Sequence, residues 1–490
     1  MTPWATATEQ LAALAAGEAT SVGLLDACLD RIAALDPALN AVVALDAERA
    51  FAAARAADLD RRAGRSTGPL AGLPLTIKDA LDVAGLPTAA GDPARVQAVA
   101  AADAVAVARL RSAGAIPFGK TNVPLNAADF QTFNALHGTT RNPYALDRTP
   151  GGSSGGAAAA VAAGFVAAEL GTDLAGSLRI PAHACGVASL KPSYGLIPVA
   201  GTFAGIPGQQ RAADLQVVGP IARSIADLAL LFDVLAGPGH DEAVGWRLAL
   251  PRPPAGFRPR VALWLDEPFC QPEPAVADAI AAACDALGGR VASVTPVRPP
   301  LPAEEFFRLH CVLMYGELSL AAPADTFEYF VRRTARATGA EDFSDMTALL
   351  ARGLTVRHRD WLAAAERRAV LRAAMAGFFA DYDAIVCPVA PTPAAPLDER
   401  RLDRRTQRLG GGEVPALLHT FWAAVASSLY LPAVTVPVGL GPDGLPVGAQ
   451  VIAPYLHDHL AVAVAALLEA AAGGFRPPVI AAGAFRSSAG

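Results

Sequence analysis

The chain has 490 residues, 53% of them hydrophobic and 18% charged, and a mean hydropathy of +0.33, so a large buried core is easily supplied. A formal net charge of −6 with no basic stripe or tail argues against nucleic-acid binding. Six scattered cysteines without a Cys-x-x-Cys pair point to reduced, mostly buried thiols of a cytosolic protein, and the histidines form no metal-ligand pattern.

The N-terminal stretch MTPWATATEQ lacks a basic region followed by an apolar core, so no signal peptide is expected. The longest weakly polar run, 155–168, is too short to span a membrane. A cytoplasmic protein with no membrane partner follows as the expectation. Residues 7–34 read as two helices, the first ending near Gly17, the second capped by Thr20 or Ser21 and stopping before Pro37. A short strand over 40–45 precedes an alanine-rich helix over 46–64. Leu73-Pro74-Leu75-Thr76-Ile77-Lys78-Asp79 reads as a short apolar strand ending in a Lys–Asp pair, and α/β proteins place chemistry at the ends of such strands.

A helix over 103–114 leads to the strand Ile116-Pro117-Phe118 and to Lys120; the segment 122–148 is polar and turn-rich. Then come two glycine-rich serine clusters, Gly-Gly-Ser-Ser-Gly-Gly from Gly151 and Gly-Thr-Asp-Leu-Ala-Gly-Ser-Leu-Arg-Ile-Pro from Gly171. They flank an alanine-rich stretch, 157–168, read as one short helix. Glycines around a serine bring backbone N–H groups close to something anionic. Further on, strands are expected over 186–190, 261–265, 383–388 and 433–438, and helices over 224–236, 274–287 and 458–472. Residues 250–260 form a proline-rich connector and 391–405 a polar loop. Residues 303–382 read as mostly helical, a layer or lid rather than an independent domain. This alternation predicts an α/β fold with a mixed sheet and helices on both faces, in one compact unit over 1–490.

Three residues stand out together: Lys78, Ser153 and Ser177. A serine hydroxyl is a poor nucleophile and needs a base. A neutral Lys78 drawing a proton from Ser177 through Ser153, then returning it to a leaving nitrogen, would supply one. Lysine titrates near 10.4 when unperturbed, so this demands a shift of about 3 units, roughly 4 kcal/mol. The apolar approach 73–77 makes desolvation the expected cause, with Asp79 pointing away. The amides of Leu174, Ala175, Gly176 and Ser177 are candidates for an oxyanion hole. Gly-x-Ser-x-Gly also occurs twice around Ser153 and Ser154, as in an α/β-hydrolase elbow. That reading needs a later acid and histidine; His419, His457 and His459 stand in no matching context, and Lys78 and Ser177 would be left without work.

These motifs, with Gly119-Lys120-Thr121-Asn122, Arg141-Asn142-Pro143, Leu431-Pro432-Ala433 and Pro446-Val447-Gly448, resemble the amidase signature family over residues 8–470 or so. The resemblance implies a mixed, twisted central sheet covered by helices on both faces, and a Ser-cisSer-Lys triad. Ser177 would be the acylated nucleophile, Ser153 the relay after a cis Gly152–Ser153 peptide, and Lys78 the base and acid. Ser154, Asp173 and Arg179 would support that loop. Ala175 is a departure, since many members carry glycine there. A small-molecule amide hydrolase with no metal and no organic cofactor is the expectation, acting on carboxamides, anilides, urethanes or cyclic amides. Two alternatives stand beside it: the glutaminase subunit of a tRNA-dependent amidotransferase, with Arg357 or Arg359 as candidate glutamine-binding residues, and a non-catalytic binding protein. Residues 120–137, 200–212 and 303–382 are the expected substrate-facing surfaces; Cys311, Met314 and Tyr315 read as packing. The assembly is left open, with a homodimer as one option.

Overall fold

The computed structural model describes residues 2–65, 68–203, 211–335 and 346–480, so 204–210 of the expected substrate surface and 336–345 of the expected lid lie outside the described residues. Its strands are β1 (Val42–Leu45), β2 (Pro74–Lys78), β3 (Ile116–Thr121), β4 (Phe133–Asn134), β5 (Gly138–Thr139), β6 (Ala168–Asp173), β7 (Ala188–Lys191) and β8 (Val217–Ala222). There follow β9 (Arg260–Leu263), β10 (Ser293–Pro296), β11 (Ala384–Pro388), β12 (Thr406–Leu409), β13 (Gly412–Pro415), β14 (Ala433–Leu440) and β15 (Pro446–Ile452). β4 pairs with β5, and β12 with β13, in small two-stranded sheets; the other strands join in one sheet of order β1-β3-β2-β6-β8-β7-β14-β15-β11-β9-β10. β2 lies parallel to both β3 and β6, and β9 parallel to β10 and β11, while the remaining pairings are antiparallel. The predicted mixed sheet is the fold observed.

Side chains alternate between the two faces of a strand, so each face builds its own core. In β11, Ala384 and Val386 join a cluster under the helices Ile225–Leu235, Pro274–Asp285 and Asp458–Ala472. Ile385 and Cys387 join another, with Trp264, Trp422 and the helix Ala303–Leu318. Towards β3 that second face is covered instead by Phe118, Ser21–Leu39 and the wholly buried helix Gly155–Ala162.

Two boundaries differ from expectation. The helix Ser21–Leu39 runs through Pro37. The bond Pro37 cannot donate is offset at the helix exit, where Asp36 accepts from Ala41 and Val42 at 2.7 and 3.1 Å and Asn40 closes the helix in left-handed geometry. The stretch 157–168 is not one helix: it stops at Ala162, turns at Gly164 (φ 71°), and Ala168 opens β6. The expected lid consists, among the described residues, of the helices Ala303–Leu318, Ala324–Thr334, Met346–Leu354 and His358–Phe378. No helix among the described residues is long and apolar enough to cross a membrane.

Candidate active site

Because β2 and β6 are parallel neighbours, their carboxyl ends open side by side. Lys78 ends β2, and Thr172 and Asp173 end β6. The Lys78 Nζ, fully buried, lies 2.7 Å from Ser153 Oγ and 2.8 Å from Thr172 Oγ1. Burial pushes the Lys78 ammonium down to about 7, against the pull of the Asp173 and Glu169 carboxylates. Glu169 is itself driven up to about 7 by burial, although the Thr121 and Thr76 hydroxyls donate to it. Asp79 is engaged elsewhere: it pairs with Lys120 at 3.2 Å, and Lys120 also donates to the carbonyls of Leu81 and Pro87.

Ser153 follows a cis Gly152–Ser153 peptide. A Cβ on Gly152 would stand 2.6 Å from the Asp129 carbonyl oxygen, so only glycine lets segment 129–131 close over this turn. Ser154 locks the two serine loops together, its N–H donating to the Ser177 carbonyl at 3.1 Å and its hydroxyl to the Thr172 carbonyl at 3.2 Å.

The loop that carries Ser177 is held from beneath by Asp173. Its carboxylate accepts the N–H groups of Gly176 (2.7 Å) and Leu178 (3.1 Å) and those of Arg179 Nη2 and Nε (2.9 and 3.0 Å). Burial would raise the Asp173 carboxyl, but Arg179 and these donors hold it at about 2. Arg179, also fully buried, spends its remaining donors on Ala423 O, Gln450 Oε1 and Ser427 Oγ. One of the four expected oxyanion donors is therefore corrected. The Gly176 N–H is consumed by Asp173, and the backbone here has φ 116°, a geometry that favours glycine. The amides of Leu174, Ala175 and Ser177 donate to no acceptor among the described residues.

Ser153 and Ser177 open into one pocket, walled by Phe130, Leu174, Ala175, Phe203, Met314, Tyr315, Leu318 and Leu402. The Ser177 hydroxyl has no hydrogen-bond partner among the described residues. The charged side chains on this wall are acidic: Asp129, paired with Arg405, and Glu317, paired with Arg211 at 2.8 Å. Arg357 borders a separate cavity within the helical layer, and Arg359 lines neither. Met314 and Tyr315, read as packing, belong to a buried core cluster and wall the pocket as well. With one turn of helix between successive inward positions, their apolar character serves core and pocket alike, so the sequence carries no signal to separate the two. Phe130 falls within the expected surface 120–137, whereas Gln216 lies just outside the expected stretches. His183 is packed between Gly448 and Thr392, and Cys185 donates its thiol to Pro150.

The family model described as Amidase matches residues 23–462. Among similar sequences, the A-type subunit of the glutamyl-tRNA(Gln) amidotransferase of Acidothermus cellulolyticus is 35% identical, over 95% of this chain and 94% of its own. The indoleacetamide hydrolase of Bradyrhizobium diazoefficiens is also 35% identical, over 95% of this chain and 86% of its own. A bacterial aryl acylamidase of solved structure superposes with a TM-score of 0.80 at 25% identity, covering 96% of each chain.

Proposed function

This chain belongs to the amidase family and is an amide-hydrolysing enzyme, and we propose that it cleaves small carboxamides, anilides or urethanes through an acyl-enzyme on Ser177. One observation carries the reading: a fully buried lysine, held near neutrality by desolvation, sits 2.7 Å from the hydroxyl of Ser153 in the wall of the pocket that Ser177 also lines. Neutral Lys78 takes the Ser153 proton as Ser153 takes that of Ser177, whose oxygen attacks the carbonyl carbon. Ser177 reaches Ser153 by rotating its hydroxyl once substrate is bound, since catalytic hydrogen bonds tighten in the complex. The free amides of Leu174, Ala175 and Ser177 receive the oxyanion; one such donor is worth about 3 kcal/mol. Lys78 then returns its proton through Ser153 to the leaving nitrogen, and water deacylates the enzyme by the reverse route. The largely apolar pocket suits an aryl or alkyl substituent.

A fluorophosphonate probe followed by intact-mass analysis tests the assignment. One adduct is expected on the wild type and none on Ser177→Ala; undiminished labelling of the variant would remove Ser177 from the role.

The glutaminase-subunit reading is favoured by the similarity to the amidotransferase of Acidothermus cellulolyticus. Against it, no lysine or arginine stands among the described residues of the pocket wall to hold the α-carboxylate of glutamine, and the charges there are acidic. Comparing glutamine with an anilide as substrate decides between the two.

A further inference from the structure

Behind Phe130 and Leu402, which face both, lies a second cavity adjoining the Ser177 pocket. Gly151, two residues before Ser153, and Ile180, three after Ser177, form part of its wall, so it runs along the underside of both serine loops. Its polar lining divides into two groups. Gln131 is satisfied by Pro396 and Asp398, and His183 by Gly448 and Thr392. Arg405, Gln407 and His419 are not: Arg405 Nε, Gln407 Nε2 and His419 Nδ1 are buried atoms without a hydrogen-bond partner among the described residues.

Three orphaned polar atoms around one cavity are costly. Each buried, unmade hydrogen bond costs about 1–3 kcal/mol. Two of the three are obligate donors, so the missing partner is an acceptor. Arg405 is 3% exposed and is kept in place by its ion pair with Asp129, which lines the Ser177 pocket. The pair thus bridges the partition, Asp129 lining the first cavity and Arg405 the second.

We propose that this cavity is a distal substrate subsite in which a carbonyl or carboxylate oxygen of the substrate accepts hydrogen bonds from Arg405 Nε–H and the Gln407 amide, so that the preferred substrates are amides with an apolar middle and an acceptor group at the far end. The inference rests on the amide-hydrolase reading and names its substrate class. An occupant runs from the carbonyl at Ser177 past Phe130, leaving its apolar middle against Phe130 and Leu402 and its end among the three orphaned groups.

Acyl anilides of rising chain length, ended by methyl, primary amide or carboxylate, test this on the wild-type enzyme. At one chain length the acceptor-ended substrates should exceed the methyl-ended one in kcat/KM by about tenfold, mostly through KM. A larger gain for carboxylate than for amide identifies an anion as the occupant, and equal gains a neutral carbonyl. Gln407→Leu and Arg405→Lys, the latter keeping a cation beside Asp129, should bring the ratio of acceptor-ended to methyl-ended substrates towards one. A ratio near one in the wild type at every length, with methyl-ended anilides hydrolysed, overturns the subsite and leaves the hydrolase reading standing. A ratio untouched by both variants overturns it too. Failure to cleave any anilide strikes the hydrolase reading itself.

Discussion

Lys78 works only if it is neutral when substrate arrives, and its surroundings favour that form. Burial lowers the ammonium from 10.5 to about 7, with Asp173 and Glu169 opposing. The deprotonated fraction therefore rises through neutrality, and log kcat/KM is expected to climb with pH and level off above an inflection near 7. Lys78→Met should remove that limb along with nearly all activity; a pH–rate profile of both proteins checks this. The same shift has a stability consequence of definite sign. Between about 7 and 10.5 the unfolded chain holds a proton on Lys78 that the folded one has released, so stability rises with pH across that window. Lys78→Met escapes the cost of burying the charge. Its melting temperature should exceed the wild type's most at pH 6 and converge on it towards pH 10. Asp173 and Arg179 behave oppositely. Both are wholly buried and fully bonded, so Asp173→Asn leaves a buried guanidinium without its counter-charge. The expected loss is about 3–5 kcal/mol in denaturant unfolding, together with activity, because the Ser177 loop loses the acceptor beneath Gly176 and Leu178.

At the scale of elements, what the sequence disclosed and what it hid have physical reasons. β2 and β3 were legible as apolar runs of strand length, as was the closing helix Asp458–Ala472, with its steady apolar period. β6, on which the catalytic geometry hangs, was not. Its sequence Ala-Glu-Leu-Gly-Thr-Asp is wholly buried yet half polar, because Glu169 meets Thr76 and Thr121 from neighbouring strands and Asp173 meets Arg179. The partners of Glu169 lie 93 and 48 residues away and that of Asp173 only six, beyond the strand's end, so the strand's own alternation does not announce it. The three reactive side chains were readable because their motifs are dense; the pocket wall was readable only as the broad stretches 120–137, 200–212 and 303–382, because its individual residues are gathered from separate stretches far apart in the chain. One of these, the helical layer, is fastened by a cluster that sequence alone did not suggest. On the helix His358–Phe378, Arg368 pairs with Asp214 at 2.6 Å and lies 4.5 Å from the centre of the Tyr430 ring, and Tyr430 donates to Asp214 and stacks on Tyr194. Breaking a buried pair locally should loosen this layer without melting the sheet. Arg368→Met is expected to speed amide hydrogen exchange in the helices Ala303–Leu318 and His358–Phe378 by about tenfold or more, leaving β14 and β15 protected. Uniformly faster exchange would show that the cluster holds the whole protein rather than the layer.

At the scale of the whole molecule, the sheet is not the only tie on the site, because one arginine also joins the N-terminal segment to the turn between the two serine loops. Arg223, at the end of β8, donates to the carbonyls of Val161 and Val166 at 3.0 and 2.5 Å and to those of Trp4 and Ala5. Nearby, Asp227 accepts the first amides of the helix Ala7–Ala16, from Ala7 and Thr8, at 2.9 and 2.8 Å. The turn Val161–Val166 is the link between the helix that follows Ser153 and the strand that precedes Ser177, so the guanidinium joins the N-terminal segment directly to the backbone of the site. The contacts to the N-terminal segment span more than two hundred residues of chain. Replacing Arg223 by methionine keeps the apolar stem but takes a donor from four carbonyls; Val161 and Ala5 keep another, from Gly164 N–H and Gln10 Nε2, while Val166 and half-buried Trp4 are left unsatisfied, at about 1 kcal/mol or more each. The expected result is a loss of about 2 kcal/mol or more, seen as one cooperative calorimetric transition shifted downward. Activity per folded molecule should fall with it, as the Val161–Val166 turn no longer fixes the spacing of Ser153 and Ser177. If Arg223→Met melted earlier yet kept wild-type kcat below its transition, the arginine would anchor the N-terminal segment alone, and the site would depend on the Asp173–Arg179 pair without it.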